Sequence, residues 1–173
     1  MKIKQGIFFL LALFTTFFLD EQLTFFFSGF TGFRVTLASH LLLLVIFYGS
    51  FEFGSVLTYA LLFLTGLFYD SHYVLTLGLV SLLLPLFFFL LRLSGNVLTK
   101  GWWQRLFAFL CLLICFEVLL YGLARLVGLT SYPFRNFLTA QLLPTILINL
   151  AYMLGFSRAV ERVLGLRQIT NEL

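Results

Sequence analysis

The apolar and polar positions of the chain form long blocks, and this pattern predicts membrane-spanning helices. Runs such as FFLLALF and LLLPLFFFLL are apolar on every side, whereas the strands of a membrane barrel alternate polar and apolar residues. About 20 apolar residues carry a helix across the hydrocarbon layer. The sequence therefore predicts about six spans, over residues 6–19, 35–47, 54–68, 73–91, 106–124 and 137–156. The first is short, and a longer version runs through Phe27, past Asp20 and Glu21.

Composition agrees with this class. The mean hydropathy is +1.06 and 10% of the 173 residues are charged, against about 25% in soluble domains. A soluble fold of this length has too little interior for so much apolar surface. We therefore expect an all-α integral membrane protein with a single transmembrane domain over residues 1–173. The N-terminal run MKIKQGIFFLLALF lacks a small-x-small cleavage site, so we read it as a retained first span or signal anchor.

The positions of Lys and Arg predict the orientation. With six spans and a cytoplasmic N-terminus, the outer segments hold only Arg34, Arg125 and Arg135. The other eight of the 11 basic residues then lie on the inner side, which favours cytoplasmic termini at both ends. The basic residues are spread over separate loops and form no single stripe, so no nucleic-acid partner is expected.

A polar face on the sixth predicted span is the first candidate site. Gln141, Thr145 and Asn149 recur at i, i+4 and i+8 and therefore line one side of a helix. Glu117 lies near the middle of the fifth span, and acids at that depth usually face the bundle or a cavity. Two readings stay open: these groups hydrogen-bond across helices and fix the packing, or they form a proton relay or solute site.

The stretch GLFYDSHYVLTLG, at the outer end of the third span, is the second candidate site. Asp70 either caps the fourth helix or forms an ion pair or partner contact, with Arg34 and His40 as possible neighbours at the same level. Gly66 and Gly78 have no side chain, which permits the close approach of another helix. Asp20 and Glu21 are expected at the membrane interface.

Motifs of catalytic or metal sites are missing from the sequence. It contains no HExxH or DxxxD pattern. Cys111 and Cys115 lie one helical turn apart in an apolar run without further ligands, so we interpret them as small apolar residues. No enzymatic activity, cofactor or metal is expected.

The run HLLLLVIFYGSFEFGSVLTYALLFLTGLFYDSHYVLTLGLVSLLLPLFFFLLR resembles the MreD family of bacterial rod shape-determining proteins. The resemblance rests on Gly66, on the acid Asp70 four residues later, and on the pair Leu77 and Gly78. It implies a non-catalytic scaffold of the cell-wall elongation machinery in the bacterial cell membrane. Such a scaffold docks an MreC-like membrane protein and supports peptidoglycan synthesis, with RodA and a class B penicillin-binding protein as further partners.

The resemblance also implies a six-helix fold similar to the substrate-binding components of ECF transporters. A small-solute-binding transport component is therefore the alternative, and a lipid or ion transporter that uses Glu117 is a third hypothesis. The first span has one alanine and many phenylalanines, which argues against the small-residue helix contact that ECF components use. The candidates for partner interaction or packing are Gly66, Asp70, Gly78, Glu117, Gln141, Thr145 and Asn149.

Overall fold

The described part of the chain is helical. A computed structural model describes residues 3–32, 34–71, 78–98 and 101–164, and these residues contain no strand. The helices are α1 (Ile3–Phe30), α2 (Leu41–Glu52), α3 (Val56–Tyr69), α4 (Leu79–Leu98), α5 (Trp102–Leu126), α6 (Phe134–Phe137) and α7 (Leu143–Leu164). A π-helical turn, Leu138–Leu142, joins α6 to α7, so that these two form one long helix. The prediction of an all-α fold with about six helices is confirmed.

Three of the six helices are long and apolar enough to cross a membrane, namely Gly6–Phe30, Trp102–Leu126 and Phe134–Val160. The other three have shorter apolar parts. The helix α2 has 12 residues, about 18 Å at a rise of 1.5 Å per residue, which is less than the roughly 30 Å of a hydrocarbon layer. The predicted helix over residues 35–47 is wrong at its beginning, because residues 36–40 are not helical.

The short helix α2 forms the centre of the molecule. All residues from 39 to 50 are buried, and α1, α4, α5 and α7 pack around them. A helix that is apolar on every side can be buried completely or can face lipid, and the sequence LLLLVIFY of α2 is buried completely. Phe47 and Tyr48 are among the largest fully buried side chains. The segment before α2, residues 36–40, enters this interior from the surface, because Thr36 is exposed, Leu37 and Ala38 are half-buried, and Ser39 and His40 are buried. We call it the linking segment.

Candidate functional site

The linking segment lies against a polar stripe on α1. Asp20, Thr24 and Ser28 are spaced at i, i+4 and i+8 and face it from one side of the helix. The backbone N–H of Ser39 donates to Thr24 Oγ1 at 2.8 Å, and that of Leu37 donates to Ser28 Oγ at 3.1 Å. Non-helical backbone at membrane depth is tolerated only where it is buried in protein or lines a water-filled cavity, so that its polar groups find partners. The α1 stripe does this for one side of the segment.

The carboxylate of Asp20 caps α2 from the neighbouring helix. It accepts hydrogen bonds from the backbone N–H groups of Leu41 and Leu42 at 2.7 and 2.8 Å, and from the hydroxyl of Ser39 at 2.6 Å. The residue at the N-cap position, His40, makes no side-chain capping bond. The first N–H groups of a helix have no partner within it and carry a partial positive charge. An acid on α1 therefore fixes where α2 begins.

A second polar stripe, on α7, holds the other side of the linking segment. Thr145 Oγ1 accepts from the N–H of Ala38 at 3.1 Å, and Asn149 Oδ1 accepts from the N–H of His40 at 2.9 Å. Asn149 Nδ2 donates to the carbonyl of Ala38 at 2.8 Å. Thr145 and Asn149 are both fully buried. These hydrogen bonds join two parts of the same chain, as in the first of the two interpretations, in which the stripe fixes the packing.

The π-helical turn before α7 contributes a backbone carbonyl to the same segment. Pro144 lacks an N–H and leaves the preceding turn with a free acceptor. The carbonyl of Ala140, four residues earlier, accepts from the N–H of Thr36 at 2.8 Å. The π-helical turn before Pro144 therefore coincides with a contact that the linking segment completes.

Glu117 joins the linking segment to α5. Its Oε1 lies 2.5 Å from Nε2 of His40, and its Oε2 accepts from Nε2 of Gln141 at 3.0 Å. Glu117 is 2% exposed, and the ring of Phe116 lies edge-on to the His40 ring. The structure thus brings together Glu117 and the polar face of the last helix, as their spacing indicated. His40 was a possible neighbour of Asp70, but its hydrogen-bond partner is Glu117 on α5.

Asp20 belongs to this site although its position in the sequence did not predict it. The expected interfacial position of Asp20 is wrong, since its side chain is 4% exposed and lies near the middle of the span Gly6–Phe30. A signal was present: Asp20, Thr24 and Ser28 repeat the same i, i+4, i+8 spacing that revealed the α7 stripe. Glu21, in contrast, is exposed on the surface of α1.

Asp70 forms a separate capping site between α3 and α4. Its carboxylate accepts from the N–H groups of Val80 at 2.8 Å and of Gly78 and Ser81 at 3.0 Å each, and its side chain is fully buried. Of the alternatives raised by the sequence, the cap is the contact that the structure shows. Asp20 and Asp70 therefore use one device twice, because each acid lies on one helix and caps the next.

Gly66 and Gly78 serve the Asp70 cap in different ways. A Cβ atom at Gly66 would lie 2.3 Å from Cα of Ser81, so only glycine lets α4 approach closely enough for Asp70 to reach it. Gly78 has φ +121°, a conformation that glycine adopts without strain. Its expected close helix contact is not seen, since in the described part of the chain no neighbouring atom lies within 4 Å of a Cβ built there. Leu77 and His72 lie outside the described residues.

Among the described residues, no group of three or more His, Cys, Asp or Glu side chains is arranged to hold a metal ion. Cys111 and Cys115 are exposed on the outside of α5. The buried acids instead accept hydrogen bonds from fixed donors on neighbouring segments. This arrangement positions helices and holds a non-helical backbone inside the bundle.

Comparison with known proteins is consistent with this architecture. The family described as rod shape-determining protein MreD matches residues 2–164. The cell shape-determining protein MreD of Streptococcus pneumoniae (strain ATCC BAA-255 / R6) is 30% identical over 159 residues, which cover 92% of this chain and 95% of that protein. No solved structure matches the chain, so the predicted likeness to ECF components has no support from this comparison. The chain belongs to the MreD family of rod shape-determining membrane proteins.

Proposed function

We propose that the protein is a non-catalytic membrane scaffold in cell-shape determination. In this role it docks an MreC-like membrane protein and supports peptidoglycan synthesis together with RodA and a class B penicillin-binding protein. It crosses the bacterial cell membrane several times, with both termini in the cytoplasm. Family membership over nearly the whole chain supports the cell-shape role.

One observation favours the scaffold over a solute-binding transport component. A solute site needs convergent polar groups that are open to a ligand. Glu117, Thr145 and Asn149 instead bind residues 38–40 of the chain itself. The linking segment thus lies where a solute would have to lie, and its backbone uses the hydrogen bonds that a solute would need.

The buried contacts also limit how Gly66, Asp70 and Gly78 contribute to partner binding. Asp70 is fully buried, and Gly66 faces the first turn of α4. We propose that these residues act on a partner indirectly, because they set the position of α4 against α3. The surface that a partner touches then consists of exposed neighbours, such as Leu64 and Phe68 on α3.

Depletion combined with co-purification tests this function. We expect cells depleted of the protein to become rounder or wider, and the tagged full-length protein to recover an MreC-like protein from solubilised membranes. Normal cell shape together with no recovered partner contradicts the scaffold. A small solute that stays bound through purification and is identified by mass spectrometry supports the transport alternative.

A further inference from the structure

Three buried polar contacts show at which depth α2 begins. Asp20 on α1, Glu117 on α5 and Asn149 on α7 all hydrogen-bond residues 40–42. The midpoints of the three long apolar spans are residues 18, 114 and 147, so each of these side chains lies within three residues, or about 5 Å, of the middle of its span. Because the long helices can cross a hydrocarbon layer of about 30 Å, their midpoints lie near its centre. The helix α2 therefore begins near the centre of the membrane, at a depth that we call the mid-level.

The outer ends of α3 and α4 lie at the same mid-level. The ring of Tyr69, the last residue of α3, is 6.1 Å from the ring of Phe17, which is one residue from the midpoint of the α1 span. The next residue caps α4, so α4 begins where α3 ends. All three short helices extend from there toward the beginning of α1, because Phe53, which lies between α2 and α3 and accepts from Arg92 of α4, stacks on Phe9. Among the described helices, only α1, α5 and the long helix formed by α6 and α7 continue through the other half of the membrane.

The outer half of α1 forms one wall of a polar cavity beside these helix ends. The cavity has a volume of about 300 Å³, enough for about ten water molecules at roughly 30 Å³ each. Its wall on α1 runs from Asp20 to Ser28, and these residues lie about 3 and 15 Å beyond residue 18, the midpoint of the span. The cavity thus extends from the mid-level to the outer boundary of a hydrocarbon layer whose half-thickness is about 15 Å. Apart from Phe25, every residue that lines it has a polar side chain, which suits water and not lipid chains.

Non-helical backbone reaches the surface in this part of the membrane. Gly78, just before α4, is non-helical and half-buried at the mid-level, and Ser71, two residues after α3, is exposed. Thr36 is also non-helical, is exposed and lines the cavity. It lies about 10 Å beyond the mid-level, because its N–H bonds the carbonyl of Ala140, seven residues from the midpoint of its span. Non-helical backbone at membrane depth is either buried in protein or lines a water-filled cavity. Since Thr36 is not buried, this rule predicts water beside it.

We propose that water fills this cavity and a recess that continues it, which descends from the outer surface to the mid-level beside α1 and over the ends of α3 and α4. We call it the outer recess. The bilayer beside α3 is then thinner than average. With 14 residues α3 is about 21 Å long, against about 30 Å for the hydrocarbon layer, and a bilayer thins locally beside a span that is too short for it. The recess opens to the outside because the termini are cytoplasmic in the proposed function, and only this direction rests on that function.

Labelling of cysteine thiols from the outer side tests the recess. Ser71→Cys, in a full-length chain that also carries Cys111→Ala and Cys115→Ala, is treated in intact spheroplasts with a membrane-impermeant methanethiosulfonate. The matched control is Phe18→Cys in the same background, because Phe18 is also exposed and lies at the midpoint of the α1 span, but lines an apolar groove. We expect Ser71→Cys to react at least tenfold faster than Phe18→Cys, each normalised to its own reaction in sodium dodecyl sulfate.

Three further positions make the comparison independent of any one variant. Tyr69→Cys places a thiol in the lining of the cavity and should also react at least tenfold faster than Phe18→Cys. The native Cys115, retained in a Cys111→Ala chain, is exposed one residue from the midpoint of the α5 span and should be as slow as Phe18→Cys. Ser131→Cys marks the outer surface, because Ser131 is exposed in the connection between α5 and α6. Equal elution volumes and helical circular dichroism establish that the variants fold.

The outcomes separate the outer recess from the proposed function. If Ser131→Cys reacts from outside while Ser71→Cys and Tyr69→Cys are as slow as Phe18→Cys, the recess is refuted and the proposed topology stands. If Ser131→Cys reacts only after the membrane is opened to both sides, the topology is wrong, and the same comparison in opened membranes decides the recess. Recess thiols that react quickly in proteoliposomes of the purified protein but slowly in spheroplasts show that a partner fills the space, which overturns the assignment to water.

Discussion

Replacement of Asp70 by alanine should destabilise the contact between α3 and α4 strongly. The carboxylate accepts three backbone hydrogen bonds, from Gly78, Val80 and Ser81, at 2.8–3.0 Å. The side chain is fully buried, and alanine offers the three N–H groups no acceptor. These groups begin α4, where no carbonyl of the helix itself is available to them.

The magnitude follows from the number of donors that lose their partner. Each buried unsatisfied donor costs about 1–3 kcal/mol. At the lower end, three donors give a loss of about 3 kcal/mol for Asp70→Ala, which is roughly a hundredfold in the folding equilibrium. Asp70→Asn keeps one carbonyl acceptor and should lose about 1 kcal/mol, in the range of N-cap substitutions. Ser71→Ala is the control, because the Ser71 hydroxyl makes an exposed bond to the Phe68 carbonyl one turn back.

Two measurements check this prediction. Equilibrium unfolding by sodium dodecyl sulfate in mixed micelles, followed by circular dichroism, gives the loss of stability. Hydrogen exchange in lipid nanodiscs reports the amides of Val80 and Ser81 directly, and their protection should fall by at least tenfold in Asp70→Ala. If Asp70→Ala and Ser71→Ala unfold at the same detergent fraction with unchanged protection at these amides, then Asp70 does not hold α4 and the reasoning is refuted.

Two further substitutions test the packing and the buried pair. Gly66→Ala should cost about 1–3 kcal/mol, because its Cβ would overlap backbone, whereas Gly122→Ala, where no atom lies within 4 Å, should be neutral or slightly stabilising in the same unfolding assay; equal effects would contradict the close contact. Glu117→Leu should cost about 3 kcal/mol or more, because it removes the acceptor of a buried polar contact. The double variant His40→Leu with Glu117→Leu should recover about 1 kcal/mol of that loss, and additive losses would show that the two side chains are not coupled.

The helical membrane class and the interaction between Glu117 and the last helix were predictable from the sequence. Because each run is apolar around its whole circumference, the sequence indicates that these helices lie in a lipid bilayer. The 3.6-residue helical period places Gln141, Thr145 and Asn149 on one face. Both features can be recognised within a stretch of about 20 residues or fewer. The same rule applied to Asp20, Thr24 and Ser28 identifies the α1 stripe, but the first span was predicted over residues 6–19, which end before the stripe begins.

The conformation of the linking segment could not be predicted from the local sequence pattern. Residues 36–40 belong to VTLASHLLLL, which reads as the beginning of an apolar helix. Their backbone is instead hydrogen-bonded by α1 and α7. A helix satisfies its own backbone, so the non-helical form is stable only because those two polar stripes supply the missing partners. No residue within the segment itself specifies that its backbone bonds to α1 and α7 instead of forming a helix.

By itself, the sequence determined the membrane class, the polar face of the last helix and the Gly66–Asp70 spacing, because these depend on residues close together in the chain. The tertiary structure alone decided that Asp20 caps α2, that His40 contacts Glu117, and that the linking segment is hydrogen-bonded between α1 and α7. These contacts join residues 21, 77 and up to 111 positions apart. Their energy comes from buried donors and acceptors that find a partner only when distant helices pack together, and a hydropathy pattern contains no information about which helices those are.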